Sequence, residues 1–379
     1  MLIQEEKKYI MSAYTRYPLT IITGVGCHAY ASDGNWYLDM VGGIACCPLG
    51  HQHPAVKDAI LSQVNKLTNV SNLFYTEEQI ELAKKLVSLS GLKKCFFSNS
   101  GTEANEAAIK LAIASTKKHE FVVCQNSFHG RTFGSLSATY GKNYTQKFSP
   151  LLSKFDFVPY GDLSAISNAI NEKTAAILLE PIQGEAGIIL PHHDYLKELS
   201  ELCESKGVLF MLDEVQTGNG RTGTYFEYLS HGIKPDIVTT AKGLANGLPI
   251  GVTLSNGVDF EPGDHASTFG GNSFVCAVAS SVVSTISKNG MMENAAVQGD
   301  YIKNQILKFD KKEVKEVRGK GLMIGIELDK PAKEKISKFM KHGVLVNVVN
   351  ENTIRLLPPL ILVQKQADQF LSAFNEVVS

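Results

Sequence analysis

The chain has 379 residues, with 37 Lys and Arg against 38 Asp and Glu and a formal net charge of −1. So balanced a composition argues against nucleic acid or an anionic membrane as the main partner, because both call for a basic face. The hydrophobic share of 44% is that of a globular protein, and the length suffices for a large core divided into two units.

At the N-terminus Glu5-Glu6 precede Lys7-Lys8 with no apolar stretch between, so no signal peptide is expected, and no apolar run approaches the length of a bilayer span. Residues 17–40 carry Pro18, Gly24, Gly26 and Gly34 around two short strand-like pieces, which predicts a small hairpin sheet. Gly24-Val-Gly-Cys-His-Ala29 matches a dinucleotide fingerprint. A turn and another strand follow it, not the helix that motif requires, so it is set aside. Then come apolar runs bounded by polar or turn residues: Cys95–Phe97, Phe121–Cys124, Ala176–Leu179, Val208–Leu212 and Ile237–Val238. Strands buried on both faces of a parallel sheet read this way. Between them, Leu196, Leu199, Leu202 and Cys203 recur at helical spacing. The alternation predicts an α/β domain with a mostly parallel central sheet covered by helices. From residue 273 a long helix pattern begins, followed by a mixed segment with Gly319, Gly321 and Gly325 around an apolar strand. The expected division is a large domain over residues 46–272, with residues 1–45 and 273–379 combining into a smaller α+β domain.

Seven cysteines (Cys27, Cys46, Cys47, Cys95, Cys124, Cys203 and Cys276) show no Cys-x-x-Cys pair, which predicts free thiols and a reducing, cytoplasmic setting. His51-x-His53 and His192-His193 lack a Cys or carboxylate cluster at ligand spacing, so no metal site is expected.

Ligands of open α/β sheets sit at the carboxyl ends of the strands. After Cys95–Phe97 comes Ser98-Asn-Ser-Gly-Thr-Glu-Ala-Asn105, with Ala104, Ala107, Ala108, Leu111 and Ala112 marking one helical face. Ser100, Gly101 and Thr102 therefore open a helix after a buried strand. This is either a phosphate site or a plain N-cap. The next ends to notice are Asp213-Glu214-Val215-Gln216 and Ala241-Lys242-Gly243. A carboxylate and an ammonium there could be a simple salt bridge. Yet an amine in the apolar company of Leu244, Ala245 and Pro249 is pushed towards its free, nucleophilic form, as Schiff-base chemistry requires. Pyridoxal phosphate needs such a lysine, an acid at its ring nitrogen, a phosphate anchor and a flat group on its ring. Phe128, just past a strand, could be that flat group. Glu180 and Glu185 lie nearby, and a solvated or capping glutamate is the commoner case for each.

With these segments in order, the chain resembles class III pyridoxal-phosphate aminotransferases of fold type I, nearest the group acting on ornithine and acetylornithine. The resemblance runs through Leu49-Gly-His-Gln-His-Pro54, Ser100-Gly-Thr-Glu-Ala-Asn105, Ser127-Phe-His-Gly-Arg-Thr132 and Glu180-Pro-Ile-Gln-Gly-Glu-Ala-Gly187. It continues through Leu212–Gly218, Gly220-Arg-Thr-Gly223, Ala241–Leu244, Thr268-Phe-Gly-Gly-Asn272 and Arg355–Leu360. It implies pyridoxal 5′-phosphate as cofactor, a small-molecule amino donor and 2-oxoglutarate as substrates, and a homodimer with active sites at its interface. Lys242 and Asp213 would be catalytic, with Lys242 binding the cofactor and Asp213 its ring nitrogen. Ser100, Gly101, Thr102, Phe128, Glu214, Val215 and Gln216 would surround the cofactor, and Thr268 would reach the phosphate from the partner subunit. Arg131, Ser267, Arg355 and Glu185 would meet substrate, Glu185 lying against Arg355. Gly220-Arg-Thr-Gly223 would favour two carboxylate substrates over an internal amino shift. One departure stands out: the family usually has proline where Ser273 is, which would loosen the loop before it.

Overall fold

The computed structural model describes residues 2–152 and 154–379. Where two N-terminal strands are expected, three form an antiparallel meander: β1 (Ile21–Val25), β2 (His28–Ala31) and β3 (Trp36–Asp39). The turn between β1 and β2 contains Gly26, whose φ of 56° is cheap only for glycine. Because β2 follows that turn directly, the dinucleotide fingerprint has no helix.

The apolar runs become a seven-stranded sheet of β4 (Lys94–Ser98), β5 (Glu120–Cys124), β6 (Phe155–Val158), β7 (Thr174–Leu179), β8 (Leu209–Asp213), β9 (Ile237–Thr240) and β10 (Gly251–Ser255). Their order is β4-β10-β9-β8-β7-β5-β6. Every residue of β7, β9 and β10 is buried. Only β10 runs against the others. Two strands go unforeseen. β6 has the alternating pattern Phe-Asp-Phe-Val of an edge strand, and β10 carries polar Thr253 and Ser255 that break its apolar run. The buried hydroxyl of Thr253 is satisfied by donating to the carbonyl of Ala104 at 2.8 Å.

Helix Gly101–Thr116 lays its alanine face, Ala104, Ala107, Ala108 and Ala112, on this sheet, all fully buried. Such small side chains let helix and sheet approach closely. Helix Tyr195–Lys206 buries Leu196, Leu199 and Cys203 on the face expected of it.

The C-terminal part contains β11 (Val314–Lys320), β12 (Met323–Leu328), β13 (Val344–Leu345), β14 (Asn347–Val349) and β15 (Thr353–Leu356). An antiparallel sheet takes the order β11-β12-β15-β14, while β13 joins β3 in parallel, so the two ends of the chain share one sheet. Helix Ser273–Lys288 packs on helices Pro54–Val64 and Glu77–Ser90. It starts at Ser273 behind the N-cap Asn272, whose side chain accepts from Val275 N–H at 2.9 Å. Among the described residues no helix is long and apolar enough to cross a membrane.

Candidate active site

Asp213 ends β8 and is buried, and the adjacent parallel strand β9 leads through Ala241 to Lys242. One oxygen of Asp213 accepts from Asn105 Nδ2 at 2.7 Å and lies 2.8 Å from Nδ1 of His129, and the other accepts from Val215 N–H at 3.0 Å. Next to a carboxylate, the imidazole proton sits on Nδ1. Asn105 is itself fixed, accepting from Thr239 Oγ1 and donating to the carbonyl of His129, both at 2.7 Å. The buried carboxylate is thus held by two side chains that lay unremarked within the sequence motifs. His129 Nε2 is buried with no hydrogen-bond partner among the described residues.

Lys242 opens a 3-10 turn with φ of 40°, a left-handed value that a side chain rarely adopts. The surroundings enforce it: Asn219 Nδ2 donates to Thr240 Oγ1 at 3.1 Å and to the carbonyl of Ala241 at 3.0 Å, and Leu244 and Ala245 are fully buried.

Ser100 caps the sixteen-residue helix by accepting from Glu103 N–H. The N–H groups of Gly101 and Thr102 have no acceptor among the described residues, and they point out along the positive end of the helix. Gly101 is packed so tightly on Val215 that a Cβ there would overlap its methyl groups. The hydroxyl of Thr102 is engaged by the neighbouring loop, accepting from the N–H groups of Arg131 and Thr132 at 3.2 and 3.3 Å.

In that loop the exposed Arg131 lays its guanidinium over the rings of Phe128 and Tyr144, 5.4 and 4.5 Å from their centroids. Arg355, on β15, is fully buried instead. Its guanidinium donates to Glu185 Oε1 at 2.6 Å, to Asn347 Oδ1 at 2.9 Å and to the carbonyl of Gly184 at 3.2 Å. Gln216 lies beside this pair, with Nε2 3.4 Å from the same Glu185 oxygen. Burial pushes the Glu185 carboxyl upward, but Arg355 and Lys242 outweigh it and hold the group below its ordinary range.

The other sequence candidates fall elsewhere. Glu214 turns into the scaffold, where it accepts from Thr217 Oγ1 and Tyr228 N–H, and burial pushes its carboxyl up to about 7. Ser267 receives Asn99 Nδ2 at 3.3 Å near the end of β4, whereas Thr268 is exposed and outside the cluster. Arg221 pairs with no carboxylate among the described residues: it is buried and donates to the carbonyls of Leu322 and Pro358, strapping the C-terminal part to the large sheet. His51 pairs with Asp39 at 3.0 Å and His53 caps helix Pro54–Val64, both structural roles. Of the two expectations for Glu180, solvated or capping, the first fails: it is buried, and it caps the backbone N–H groups of Phe128 and Gly184, each at 3.0 Å.

The family description Aminotransferase class-III matches residues 9–378. The chain belongs to the class III aminotransferases. An acetylornithine aminotransferase of Caldanaerobacter subterraneus subsp. tengcongensis is 45% identical to it over 389 residues, covering 100% of this chain and 99% of the relative. One from Methanothermobacter thermautotrophicus is 43% identical, covering 100% and 98%. Among solved structures, an ornithine aminotransferase from Toxoplasma gondii superposes with a TM-score of 0.96 at 28% identity, covering 99% of this chain and 93% of that one. Its active site carries pyridoxal phosphate at partial occupancy. The acetylornithine aminotransferase from Elizabethkingia anophelis gives 0.89 at 30% identity, covering 100% and 98%.

This class III aminotransferase is a pyridoxal-phosphate enzyme, and the residues present fit that group. Two free N–H groups at a helix start suit its phosphate, a fixed buried carboxylate suits its ring nitrogen, and a lysine lies at the end of the neighbouring strand.

Proposed function

We propose that the chain transfers the δ-amino group of N2-acetyl-L-ornithine to 2-oxoglutarate, giving N-acetyl-L-glutamate 5-semialdehyde and L-glutamate. One observation carries this reading: a buried arginine, Arg355 on β15, is neutralised by Glu185, which also faces Lys242, while an open arginine, Arg131, lies two residues past the His129 that holds Asp213. The names of the relatives point to the donor.

Pyridoxal phosphate, when bound, supplies the carbonyl that exchanges with the amino group and the electron sink that makes the substrate's carbon acidic. Lys242 Nζ holds the cofactor, then moves a proton to and from the substrate's reacting carbon. Asp213, locked by Asn105 and His129, keeps the ring nitrogen protonated, because an ionised carboxylate favours the adjacent cation. Gly101 and Thr102 N–H groups take the phosphate, and Phe128, Val215 and Gln216 confine the ring.

The two substrates differ at the reacting carbon. The amino donor has only methylene there, and an uncompensated Arg355 facing it would be costly. Glu185 therefore stays paired with Arg355. 2-Oxoglutarate brings a carboxylate to the same place, which displaces Glu185 through a bidentate pair. Arg131 takes the remote carboxylate of each substrate.

The reading extends to a homodimer. Leu73, Phe74 and Tyr75 are 63 to 96% exposed, and Asn72 next to them holds the loop carrying Thr268 and the exposed Phe269. Such an apolar patch beside the site suits a second copy, whose phosphate pocket Thr268 would complete. The seven cysteines, all free, support a reducing, cytoplasmic setting. The function is tested by assaying a panel of amino donors with 2-oxoglutarate. N-acetylornithine is expected to give the highest kcat/KM, and a clear preference for ornithine or 4-aminobutyrate would refute the assignment.

A further inference from the structure

Glu180 directly follows β7, where a buried strand meets the loops of the site. Its two carboxylate oxygens hold different loops: Oε1 accepts from Phe128 N–H and Oε2 from Gly184 N–H, each at 3.0 Å. The residue's own backbone is tied down, because Tyr160 OH donates to the carbonyls of Glu180 and Pro181 at 3.1 and 2.7 Å. Each clamped residue bears one of the arginines. The ring of Phe128 carries the guanidinium of Arg131, and the carbonyl of Gly184 accepts from Arg355, one residue before Glu185. Gly184 lies directly against the amide of Gln216, which a Cβ there would have to displace.

We propose that Glu180 is a positioning residue that fixes the separation of Arg131 and Arg355, and so selects dicarboxylates by length. It touches neither substrate nor cofactor and acts through the two backbones it holds. This rests on the reading of those arginines as the carboxylate-binding pair.

The clamp requires the ionised acid. A carboxylate accepts on both oxygens, whereas the protonated acid turns an O–H towards one of the N–H groups and loses that bond. The titratable groups around Glu180 are His129, Asp213, Cys124 and Tyr160. Burial and then Asp213 push its carboxyl up, against His129 and the two N–H donors, to about 7. The clamp is therefore closed above neutrality and opens as the pH falls through it.

The experiment is the dissociation constant of glutarate on the holoenzyme, by titration calorimetry from about pH 6 to 8.5, for wild type and Glu180→Gln. Glutamine keeps the shape but offers one acceptor oxygen, and it does not titrate. In wild type, glutarate binding should weaken as the pH drops through neutrality. In Glu180→Gln it should already be about five- to tenfold weaker at pH 8, from the loss of one charge-assisted bond, and that deficit should close towards pH 6. Glu180→Asp, which keeps the charge but cannot span both N–H groups, should be weak at pH 8 as well. A Glu180→Gln curve that overlays wild type overturns the proposal, as does a wild-type constant flat across the range, which needs no variant. Arg131→Lys separates the two failures. If it leaves glutarate binding unchanged, the carboxylate reading itself is wrong; if it weakens binding while Glu180→Gln does not, the clamp alone is wrong.

Discussion

Arg355 lies at 1% exposure inside the C-terminal sheet, bonded to Glu185, Asn347 and the carbonyl of Gly184, whereas Arg131 stands exposed in a loop with the faces of Phe128 and Tyr144 beside it. Taking away the carboxylate partner of a buried cation is costly, so Arg355 would accept a substrate by exchanging Glu185 for the substrate's carboxylate. An exposed cation is already solvated and can take a ligand without giving up a partner. Under the proposed function, the contrast gives the two arginines different tasks with a donor and an acceptor of different charge: the buried one would discriminate, and the open one would anchor.

The harshest way to break the contrast is Arg355→Ala. It leaves Glu185 without its cation and opens a void, which should cost about 3–5 kcal/mol of stability. It should also lower kcat/KM for 2-oxoglutarate by about a thousandfold, as expected from losing a bidentate carboxylate pair. Chemical denaturation and steady-state kinetics measure both, and a stable, active variant would show that Arg355 is no discriminator. Arg131→Lys should be milder, raising KM for both substrates by about tenfold while leaving the melting temperature unchanged, because lysine keeps the charge but not the flat stacking. A loss of stability comparable to Arg355→Ala would erase the distinction between the two sites.

Glu185→Gln sharpens the comparison without removing either arginine. Dicarboxylates should bind tighter, since no charge competes with them, and kcat/KM for the δ-amino donor should fall about tenfold, because Arg355 is then unmasked. Half-reaction rates with glutamate and with N-acetylornithine give the ratio directly, and an unchanged ratio would remove Glu185 as the gate. The smallest effect is expected far from both arginines. Ser273 sits at the first helical position, its hydroxyl is buried without a partner among the described residues, and Asn272 before it is already extended at φ −60°, ψ 150°. Proline suits that position, so Ser273→Pro should add about 0.5–1 kcal/mol. A drop in melting temperature would mean that the serine is satisfied by something unseen here.

The elements legible in the sequence are those whose signal is local. Five of the seven strands of the large sheet announce themselves as apolar runs, and the helix after Ser100 announces itself through its cap and alanine face. β10 is hidden because Thr253 finds its partner, Ala104, across the fold. The same limit governs the site. Lys242, Asp213, Arg131 and Arg355 stand out in their motifs. The bonds from Asn105 and His129 to Asp213 join residues 108 and 84 positions apart and leave no trace in spacing. For the same reason the sequence leaves Glu180 between a solvated and a capping role: its burial depends on loops from elsewhere in the chain. Arg221 shows the converse, a motif arginine whose partners, Leu322 and Pro358, turn out to be backbone carbonyls.

The central claim is that Lys242 carries the cofactor and, with Asp213, performs amino transfer. Borohydride reduction of the holoenzyme, followed by peptide mapping, tests it most directly. The account predicts a reduced cofactor adduct on Lys242, and a Lys242→Ala variant that still binds pyridoxal phosphate but shows no visible absorbance band from a covalent adduct and almost no turnover. An adduct on any other lysine, or substantial turnover by Lys242→Ala, would contradict it.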